Sequence, residues 1–402
     1  MSLKSSLRKL DIHECRYVAF CVLWIIYYLT IFLDNTAWYV LNQTESMLSI
    51  IKTIRYFVYL SLMALIISRE HKCVKLVVRA FVCAIILGIQ SIAINSNILI
   101  ALLLWAFESS EFDSAKIIEC SAKTEAFFLF ATIASAYSIP GLSVLVYEAD
   151  RNVIRNLFGF SWAFHAPNLL LFVYLQFIYI KKSNIKLTHI LIFWTLSIFF
   201  SYITKTRTPL ILTIGASLIV MLVKHSRRFG RIINKQQFFF KSLPFIAFAI
   251  SLYFTLAYDN TTVLNEINTI LHNRLLLANN AYEKYGITFW GQEISWVGSQ
   301  FLTETTFEYN FVDNAYMQIL IKNGIFVTAF TLIIYYIMLK KSLKTQDYYL
   351  TITLAVVIIY GMINPCLLDL TMNPFLLLIF SKFSSMKGVD KKAILNKFIK
   401  NF

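Results

Sequence analysis

The chain has 402 residues, of which 58% are hydrophobic, 16% aromatic and only 15% charged. About a quarter of the residues of a soluble domain are charged, so this composition excludes one and indicates an integral membrane protein, with 1–402 as a single polytopic domain. The net charge of +15 invites a nucleic-acid-binding hypothesis, but the basic residues lie between apolar runs. Membrane topology and attraction to anionic lipid explain that placement, so no nucleic-acid partner is expected.

About twelve apolar runs of membrane-crossing length follow one another, which predicts an all-α fold. The run Ile98 to Phe107 is short, but orientation would invert relative to the basic loops if it failed to cross. The predicted spans lie near Tyr17 to Leu33, Met47 to Ser68, Val74 to Ile94, Ile98 to Phe107, Glu125 to Val146, His165 to Ile180, Leu187 to Ile203, Thr208 to Val223, Ser242 to Tyr258, Tyr316 to Leu339, Tyr348 to Asn364 and Thr371 to Lys382.

Basic residues gather in every second loop, which the positive-inside rule assigns to the cytoplasm. Both termini are then cytoplasmic in the cell membrane, and the basic amino terminus is expected to be an uncleaved anchor. The clusters include Arg8, Lys9 and Arg16, then Arg69, Lys72 and Lys75, then Lys181, Lys182 and Lys186, then Lys224, Arg227, Arg228 and Arg231, then Lys340, Lys341 and Lys344.

The remaining loops face outward, and one of them, residues 259–315, is the longest polar interruption of the chain. It has no proline and mixes charged residues with large aromatic ones, whereas flexible linkers are rich in glycine, serine or proline. This composition favours a functional site. No cysteine lies in the loop, so no disulfide is expected to hold it.

Common enzyme motifs are missing from the sequence. It has no GxxxxGK[ST], GxGxxG, HExxH or GxSxG, and it also lacks the metal-binding DxD of many sugar-nucleotide transferases. Soluble nucleotide chemistry is therefore unexpected, and we expect neither a cofactor nor a metal ion.

Four outward arginines call for an explanation, because arginine is costly near hydrocarbon and has no topological use there. Arg151 and Arg155 are one helical turn apart, which would place both on one face of a helix. Arg207 precedes Pro209, which suits a first helical turn, so Arg207 and Lys205 would flank a helix start that can bind an anion.

The fourth, Arg274, flanks the apolar stripe of an expected amphipathic helix running from Leu264 to Tyr282. Guanidinium groups bind phosphate or pyrophosphate by parallel hydrogen bonds. The alternative for each arginine is an ordinary one, either contact with lipid headgroups or a salt bridge to Glu148, Asp150 or Glu266.

Four short stretches in order carry a resemblance to a known family. They are Arg155 with Leu157-Phe158-Gly159-Phe160 and His165-Ala166-Pro167-Asn168, then Thr206-Arg207-Thr208, then Asn273-Arg274-Leu275 leading to Trp290-Gly291-Gln292, and then Asp313-Asn314-Ala315-Tyr316 leading to Gly324-Ile325. The chain thereby resembles the Wzy-type polysaccharide polymerases of bacterial surface-glycan export, which are related to the O-antigen ligases. Asp313 stands where the ligases commonly have histidine, which favours a polymerase.

The resemblance implies a membrane glycosyltransferase that joins oligosaccharide repeats carried on undecaprenyl pyrophosphate, outside the cytoplasmic membrane. Lipid-linked glycan is then both donor and acceptor. Membrane lipid, a flippase and a chain-length regulator are the further expected partners.

Such a transfer needs no metal if cations neutralise the leaving pyrophosphate, a role that suits Arg207 and Arg274 with Arg151 and Arg155 as supports. Asp313 is the first candidate for the base that takes the acceptor proton, and Glu304 and Glu308 are the alternatives. Asp313 could instead cap the helix that begins near Tyr316.

Further candidate contacts to substrate are Lys205, His165, Trp290 and Tyr316. Trp290 could stack on sugar, although interfacial anchoring is the commoner use of such aromatics. Two rival functions stay open. One is ligase-like transfer of finished glycan to another acceptor, and the other is a non-enzymatic flippase or transporter. A transporter should carry charge at mid-membrane on broken helices, which the sequence does not show in Leu187 to Ile203 or Ser242 to Tyr258.

Overall fold

The computed structural model describes residues 3–69, 85, 88–142, 144–148, 153–259, 262–298 and 309–381. In these ranges the protein is an all-α membrane protein with one added β-hairpin. Its helices are α1 Leu3–Phe32, α2 Ala37–Asn42, α3 Glu45–Ile67, α4 Ile98–Ser109, α5 Ser114–Ser138, α6 His165–Lys181, α7 Leu187–Thr204, α8 Thr208–His225, α9 Arg227–Lys235, α10 Gln237–Leu256, α11 Thr262–Ile270, α12 Arg274–Tyr285, α13 Ala315–Gln318, α14 Gly324–Lys344 and α15 Tyr348–Tyr360. Short 3-10 turns cover Leu33–Asn35, Lys182–Asn184 and Pro374–Leu378, and a π-helical turn covers Ile319–Asn323.

Within the described ranges, 6 helical segments are long and apolar enough to cross a membrane. The prediction of a multi-pass membrane protein is therefore confirmed. The count of about twelve spans stays a prediction, and the predicted span Val74 to Ile94 lies mostly outside the described residues. The 6 segments are Ile12–Asn35, Glu45–Ile67, Leu187–Thr204, Thr208–His225, Gln237–Leu256 and Ala315–Lys344.

Helices α6 and α15 form the centre of the bundle. Both are apolar around their whole circumference and almost entirely buried, as expected for helices enclosed on every side. Helix α6 packs against α5, α7, α8 and α15, and α15 packs also against α10 and α14. The outer helices α3 and α7 instead leave large apolar side chains exposed, which suits contact with lipid.

The bundle has two chemically different ends. At the end that we call the basic end, Lys182 Nζ lies 2.6 Å from Asp347 Oδ2, and Lys341 Nζ donates to the Ile379 carbonyl at 2.9 Å. At the opposite end, which we call the loop end, α6, α8 and α12 begin and α15 finishes. Alternating helices thus bring every predicted site residue that the structure describes to the loop end.

A buried carboxylate fastens three helices at the basic end. Glu108, fully buried at the end of α4, accepts from Arg16 of α1 at 3.0 Å and from Arg69 at 2.9 Å. At the loop end, Asn95 just before α4 donates to Glu293 of the long loop at 3.0 Å. Helix α4, at the short predicted span around Ile98, thus has contacts to the basic end after it and to the long loop before it, and its crossing of the membrane stays a prediction.

The segment predicted to hold Arg151 and Arg155 on one helical face forms a hairpin instead. Strand β1 (Leu145–Glu148) pairs antiparallel with β2 (Val153–Asn156), with Val146 opposite Arg155. The helical-face prediction was wrong for Arg155, because strand pairing satisfies this backbone where no helix ladder forms. Arg155 is buried and has an interaction partner, whereas Arg151 lies outside the described residues.

The predicted amphipathic helix is two helices. The apolar stripe from Leu264 to Tyr282 is divided between α11 and α12, because His272 and Asn273 adopt left-handed conformations with φ of 56° and 63°. The α12 half of the stripe packs inward, with Leu275 and Ala278 buried. With the start of the Ala315–Lys344 segment it builds a second apolar cluster, whose buried members are Ala278, Ala281, Ile294, Val312, Met317, Leu320 and Ile321.

Two glycines let the long loop touch that segment. Gly291 and Gly324 have φ of 95° and 84°, and a Cβ on Gly324 would lie 2.5 Å from the Gly291 backbone nitrogen. Gln292 N donates to the Lys322 carbonyl at 2.8 Å, and Ile325 N donates to the Thr288 carbonyl at 3.0 Å. The Trp290-Gly291-Gln292 and Gly324-Ile325 stretches of the sequence therefore lie side by side.

Replacing Glu108 with alanine should destabilise the protein by about 3 to 5 kcal/mol, because Arg69 would stay buried without its main partner. Thermal unfolding of the purified protein, followed by circular dichroism, measures the loss. Glu119→Ala is the matched control, since it breaks an exposed pair with Lys123 at 2.8 Å and should cost less than about 1 kcal/mol. Equal effects of the two substitutions would contradict this account of Glu108.

Candidate functional site

An ion pair between two distant parts of the long loop is the centre of the candidate site. Arg274, the first residue of α12, places Nε 3.2 Å from Oδ2 of Asp313. The two side chains are 28% and 18% exposed, so the pair is accessible yet mostly enclosed. Within the described part of the chain, the two terminal nitrogens of Arg274 make no hydrogen bond. The guanidinium is thus held by one edge and can bind a ligand with the other.

A buried asparagine fixes the position of Arg274. Oδ1 of Asn268, on α11, accepts from the backbone nitrogens of Leu275 and Leu276, both at 3.1 Å. Its Nδ2 donates to Asn273 Oδ1 at 3.1 Å. These bonds satisfy free N–H groups at the start of α12, as an N-cap would. The sequence analysis missed Asn268, because nothing in a linear pattern shows that one helix caps another.

Asp313 does not cap the helix that follows it. Oδ1 of its neighbour Asn314 accepts from the backbone nitrogens of Tyr316 at 3.0 Å and Met317 at 3.3 Å. The backbone nitrogen of Ala315 donates to the Gly361 carbonyl at 2.8 Å. The alternative capping role of Asp313 was therefore wrong, since Asn314 fills it. The Asp313 carboxylate is left for Arg274 and for whatever enters the site.

The surroundings alter the acidity of Asp313. Burial raises the pKa of its carboxyl, and the charge and hydrogen bond of Arg274 offset only part of that rise. Tyr309, which is 40% exposed, lies within electrostatic range of both charges. A carboxyl with a raised pKa is a stronger base once ionised, which suits proton abstraction.

The first turn of α6 lies beside this pair. Tyr360, at the end of α15, donates its hydroxyl to Asn168 Oδ1 and lies within electrostatic range of Arg274 and Asp313. His165 stacks on Phe160 at a ring distance of 5.7 Å. The side-chain atoms His165 Nδ1 and Asn168 Nδ2 are buried and have no hydrogen-bond partner in the described ranges. The first turn of α6 therefore offers two polar atoms that could bind a ligand.

Tyr316 lies beneath the site and not within it. Its side chain is buried, and its hydroxyl donates to the Ile358 carbonyl at 2.9 Å. This bond ties the helix start after Asp313 to α15. The position suits support of Asp313 better than the substrate contact predicted for Tyr316.

Arg207 lies at the same end of the bundle, apart from the Arg274–Asp313 pair. It is the N-cap residue of α8, and Pro209 occupies the first turn as predicted. Arg207 is exposed, and within the described residues it has no hydrogen bond or ion pair. Lys205, in a left-handed conformation with φ 56°, places Nζ 4.3 Å from the ring centre of Tyr202. The helix start is therefore open to an anion.

The remaining predicted site residues are Trp290, Glu304 and Glu308. Trp290 packs against Phe289 and Phe326 at ring distances of 5.0 and 5.3 Å and is 37% exposed, so both sugar stacking and anchoring stay predictions. Glu304 and Glu308 lie outside the described residues. In the part of the chain that the structure describes, no group of three or more His, Cys, Asp or Glu side chains could hold a metal ion.

Comparison of the chain with protein-family models, with curated proteins and with solved structures finds no match.

Replacing Asn268 with alanine should destabilise the protein by about 1 kcal/mol, because the start of α12 would lose its cap. Thermal unfolding measures the effect. Asn265→Ala is the matched control on the same helix, since Asn265 is exposed and should change stability by less than about 0.5 kcal/mol. A larger loss for Asn265→Ala than for Asn268→Ala would contradict the capping role.

Proposed function

We propose that this protein is a membrane glycosyltransferase that polymerises lipid-linked oligosaccharide repeats at its loop end. The observation that supports this most is the Arg274–Asp313 pair. It combines a carboxylate with a guanidinium that is bound along one edge only, and both side chains are partly exposed. The order of the four short sequence stretches, similar to that of Wzy-type polymerases, adds to it. The donor and the acceptor are then repeats carried on undecaprenyl pyrophosphate.

The arginines stabilise the leaving group. As the bond between the sugar carbon and the phosphate oxygen breaks, negative charge grows on the pyrophosphate. The terminal nitrogens of Arg274 can donate to it while Nε stays on Asp313. Arg207 and the free N–H groups at the start of α8 supply a second positive group at the same end of the bundle. Arg151, Arg155 and Lys205 are proposed as supports.

Asp313 acts as the base. The acceptor hydroxyl gives its proton to the carboxylate as its oxygen bonds to the sugar carbon, and the lipid pyrophosphate departs. His165, whose Nδ1 is buried and has no partner in the described ranges, is proposed to orient a hydroxyl or phosphate. Glu304 and Glu308 remain proposed as alternative bases, Trp290 as an outer contact, and Tyr316 as a support of Asp313 from beneath the site.

The proposal includes a topology. The basic end faces the cytoplasm together with both termini, so the loop end lies at the outer face of the cytoplasmic membrane. About twelve spans are proposed. A flippase that delivers the repeat and a regulator of chain length would be its protein partners.

Arg274→Ala, Arg207→Ala and Asp313→Asn should each abolish polymerisation, because each removes a charge that the transfer needs. Purified protein supplied with one lipid-linked repeat should produce a ladder of longer glycans on a gel, and the variants should not. Arg231→Ala is the control, since this exposed arginine lies on α9 at the basic end.

Two results would contradict the proposal. Full activity in all three variants would mean that these residues are not the site. Transfer of a finished glycan to an acceptor without lipid pyrophosphate, with no ladder, would favour the ligase alternative.

As the pH is lowered, the transfer rate should begin to fall at a pH above the ordinary aspartate pKa of about 3.9. Burial raises the pKa of Asp313, and a base works only when ionised, so the rate falls as pH drops through that raised value. Single-turnover rates against pH measure this limb.

Arg274 lowers the pKa of Asp313 through its charge. In single-turnover measurements, which detect transfer too slow to form a ladder, Arg274→Gln should therefore move the acid limb to higher pH, while Arg274→Lys keeps the charge and should leave the limb in place. An acid limb at the same pH in both variants would show that Asp313 does not cause the pH dependence.

A further inference from the structure

A second carboxylate with unusual surroundings lies in the middle of the bundle. Glu125 is the twelfth residue of α5, which spans Ser114–Ser138 in 25 residues, and its side chain is fully buried. In the part of the chain that the structure describes, it takes part in no ion pair. Glu108 shows the contrast, since it is equally buried and has two arginines.

Neutral groups are the hydrogen-bond partners of Glu125. Ser121 Oγ donates to Oε1 at 3.1 Å, and Gln176 Nε2 on α6 donates to Oε2 at 2.6 Å. The same nitrogen donates to the Phe172 carbonyl at 3.2 Å. Gln176 Oε1 and the Tyr28 hydroxyl are buried without a hydrogen-bond partner in the described ranges. One of these unpartnered groups, Gln176 Oε1, can only accept a hydrogen bond, so it lacks a donor.

Among the described residues, the groups that face Glu125 from the neighbouring helices supply no positive charge. Gln176 faces it from α6, and Tyr28, within electrostatic range of Glu125, faces it from α1. The third element packed on α5 is the carboxyl-terminal segment, and its Asp369 lies within electrostatic range of both Glu125 and Tyr28. A second carboxylate makes an ionised Glu125 still less favourable.

The segment that carries Asp369 is not a regular helix. Residues 361–381 cross the buried centre as turns and one 3-10 turn. Tyr335 donates to the Leu367 carbonyl at 2.8 Å, and Asn373 Nδ2 donates to Tyr335 at 2.5 Å. Irregular backbone at membrane depth occurs where it is enclosed by protein or lines a polar cavity. Asp369 itself is only half-buried, so the centre has a partly open side.

We propose that Glu125 is a proton-binding site at the centre of the bundle, with Tyr28, Gln176 and Asp369 as its surroundings. An unpaired carboxylate in an apolar interior is far more costly than the neutral acid. The proton comes from water and converts the carboxylate to the acid, whose O–H adds a donor beside the unpartnered acceptor Gln176 Oε1. This inference does not depend on the proposed glycan chemistry, and it concerns a different site.

Infrared spectroscopy of the full-length protein at neutral pH tests this. Wild-type protein should show the carbonyl band of a buried, protonated carboxylic acid, shifted in D₂O. Glu125→Gln should lose that band, because the variant has no carboxylic acid at this position. Glutamine is chosen because it resembles the neutral acid closely. Glu108→Gln is the matched control and should keep it, since Glu108 is paired with Arg16 and Arg69.

Stability against pH gives a second measurement. A folded chain that holds one proton more than the unfolded chain becomes less stable as pH rises, by about tenfold in the unfolding equilibrium constant per pH unit. Thermal or denaturant unfolding of wild-type protein should show this slope above the ordinary glutamate range, and Glu125→Gln should lack it.

Three outcomes would overturn the proposal. One is the absence of an acid band from the wild-type spectrum. Another is a band and a slope that are unchanged in Glu125→Gln. The third is stabilisation of wild-type protein, and not of Glu125→Gln, by sodium ions at constant chloride, which would make a metal cation and not a proton the ligand.

Discussion

An apolar interior cannot leave a charge unbalanced, and this constraint explains the arrangement of the acidic side chains in the bundle. Side chains in that interior are largely removed from bulk water, so each acidic group needs a cation, a proton or an opening. Glu108 is balanced by Arg16 and Arg69 at the basic end. Asp313 is balanced in part by Arg274 and stays partly exposed. Glu125 has only neutral hydrogen-bond donors, and this difference led to the proposal that it holds a proton.

The Arg274–Asp313 pair shows how a charge that is only partly neutralised can form a binding site. A fully buried pair would be a structural link, and a fully exposed pair would be screened by water and worth little. Here the pair lies at the mouth of the bundle, with one edge of the guanidinium bound and the other edge available. The Asn268 cap and the Asn314 cap hold both residues from outside the pair, so neither charged side chain is needed to stabilise a helix end.

Glu125 also bears on the choice between enzyme and transporter. An ionisable side chain at mid-membrane beside irregular backbone is typical of transporters, and Glu125 with the segment 361–381 has that form. The charged groups at the loop end have the form expected of surface chemistry. Because the two sites lie at different depths on different helices, the glycan ladder and the infrared band test them separately.

The sequence by itself determined the membrane class, the positions of most helices and the start of α8 at Thr208, because long apolar runs and Pro209 act locally. It also placed Arg207, Arg274 and Asp313 in loops that the structure brings to one end. Only the tertiary structure decided that Arg274 pairs with a residue 39 positions away, that Asn314 and not Asp313 is the cap, and that the Leu264 to Tyr282 stripe is two helices. Those outcomes depend on contacts between segments that are distant in the chain. Local sequence periodicity carries no information about such contacts.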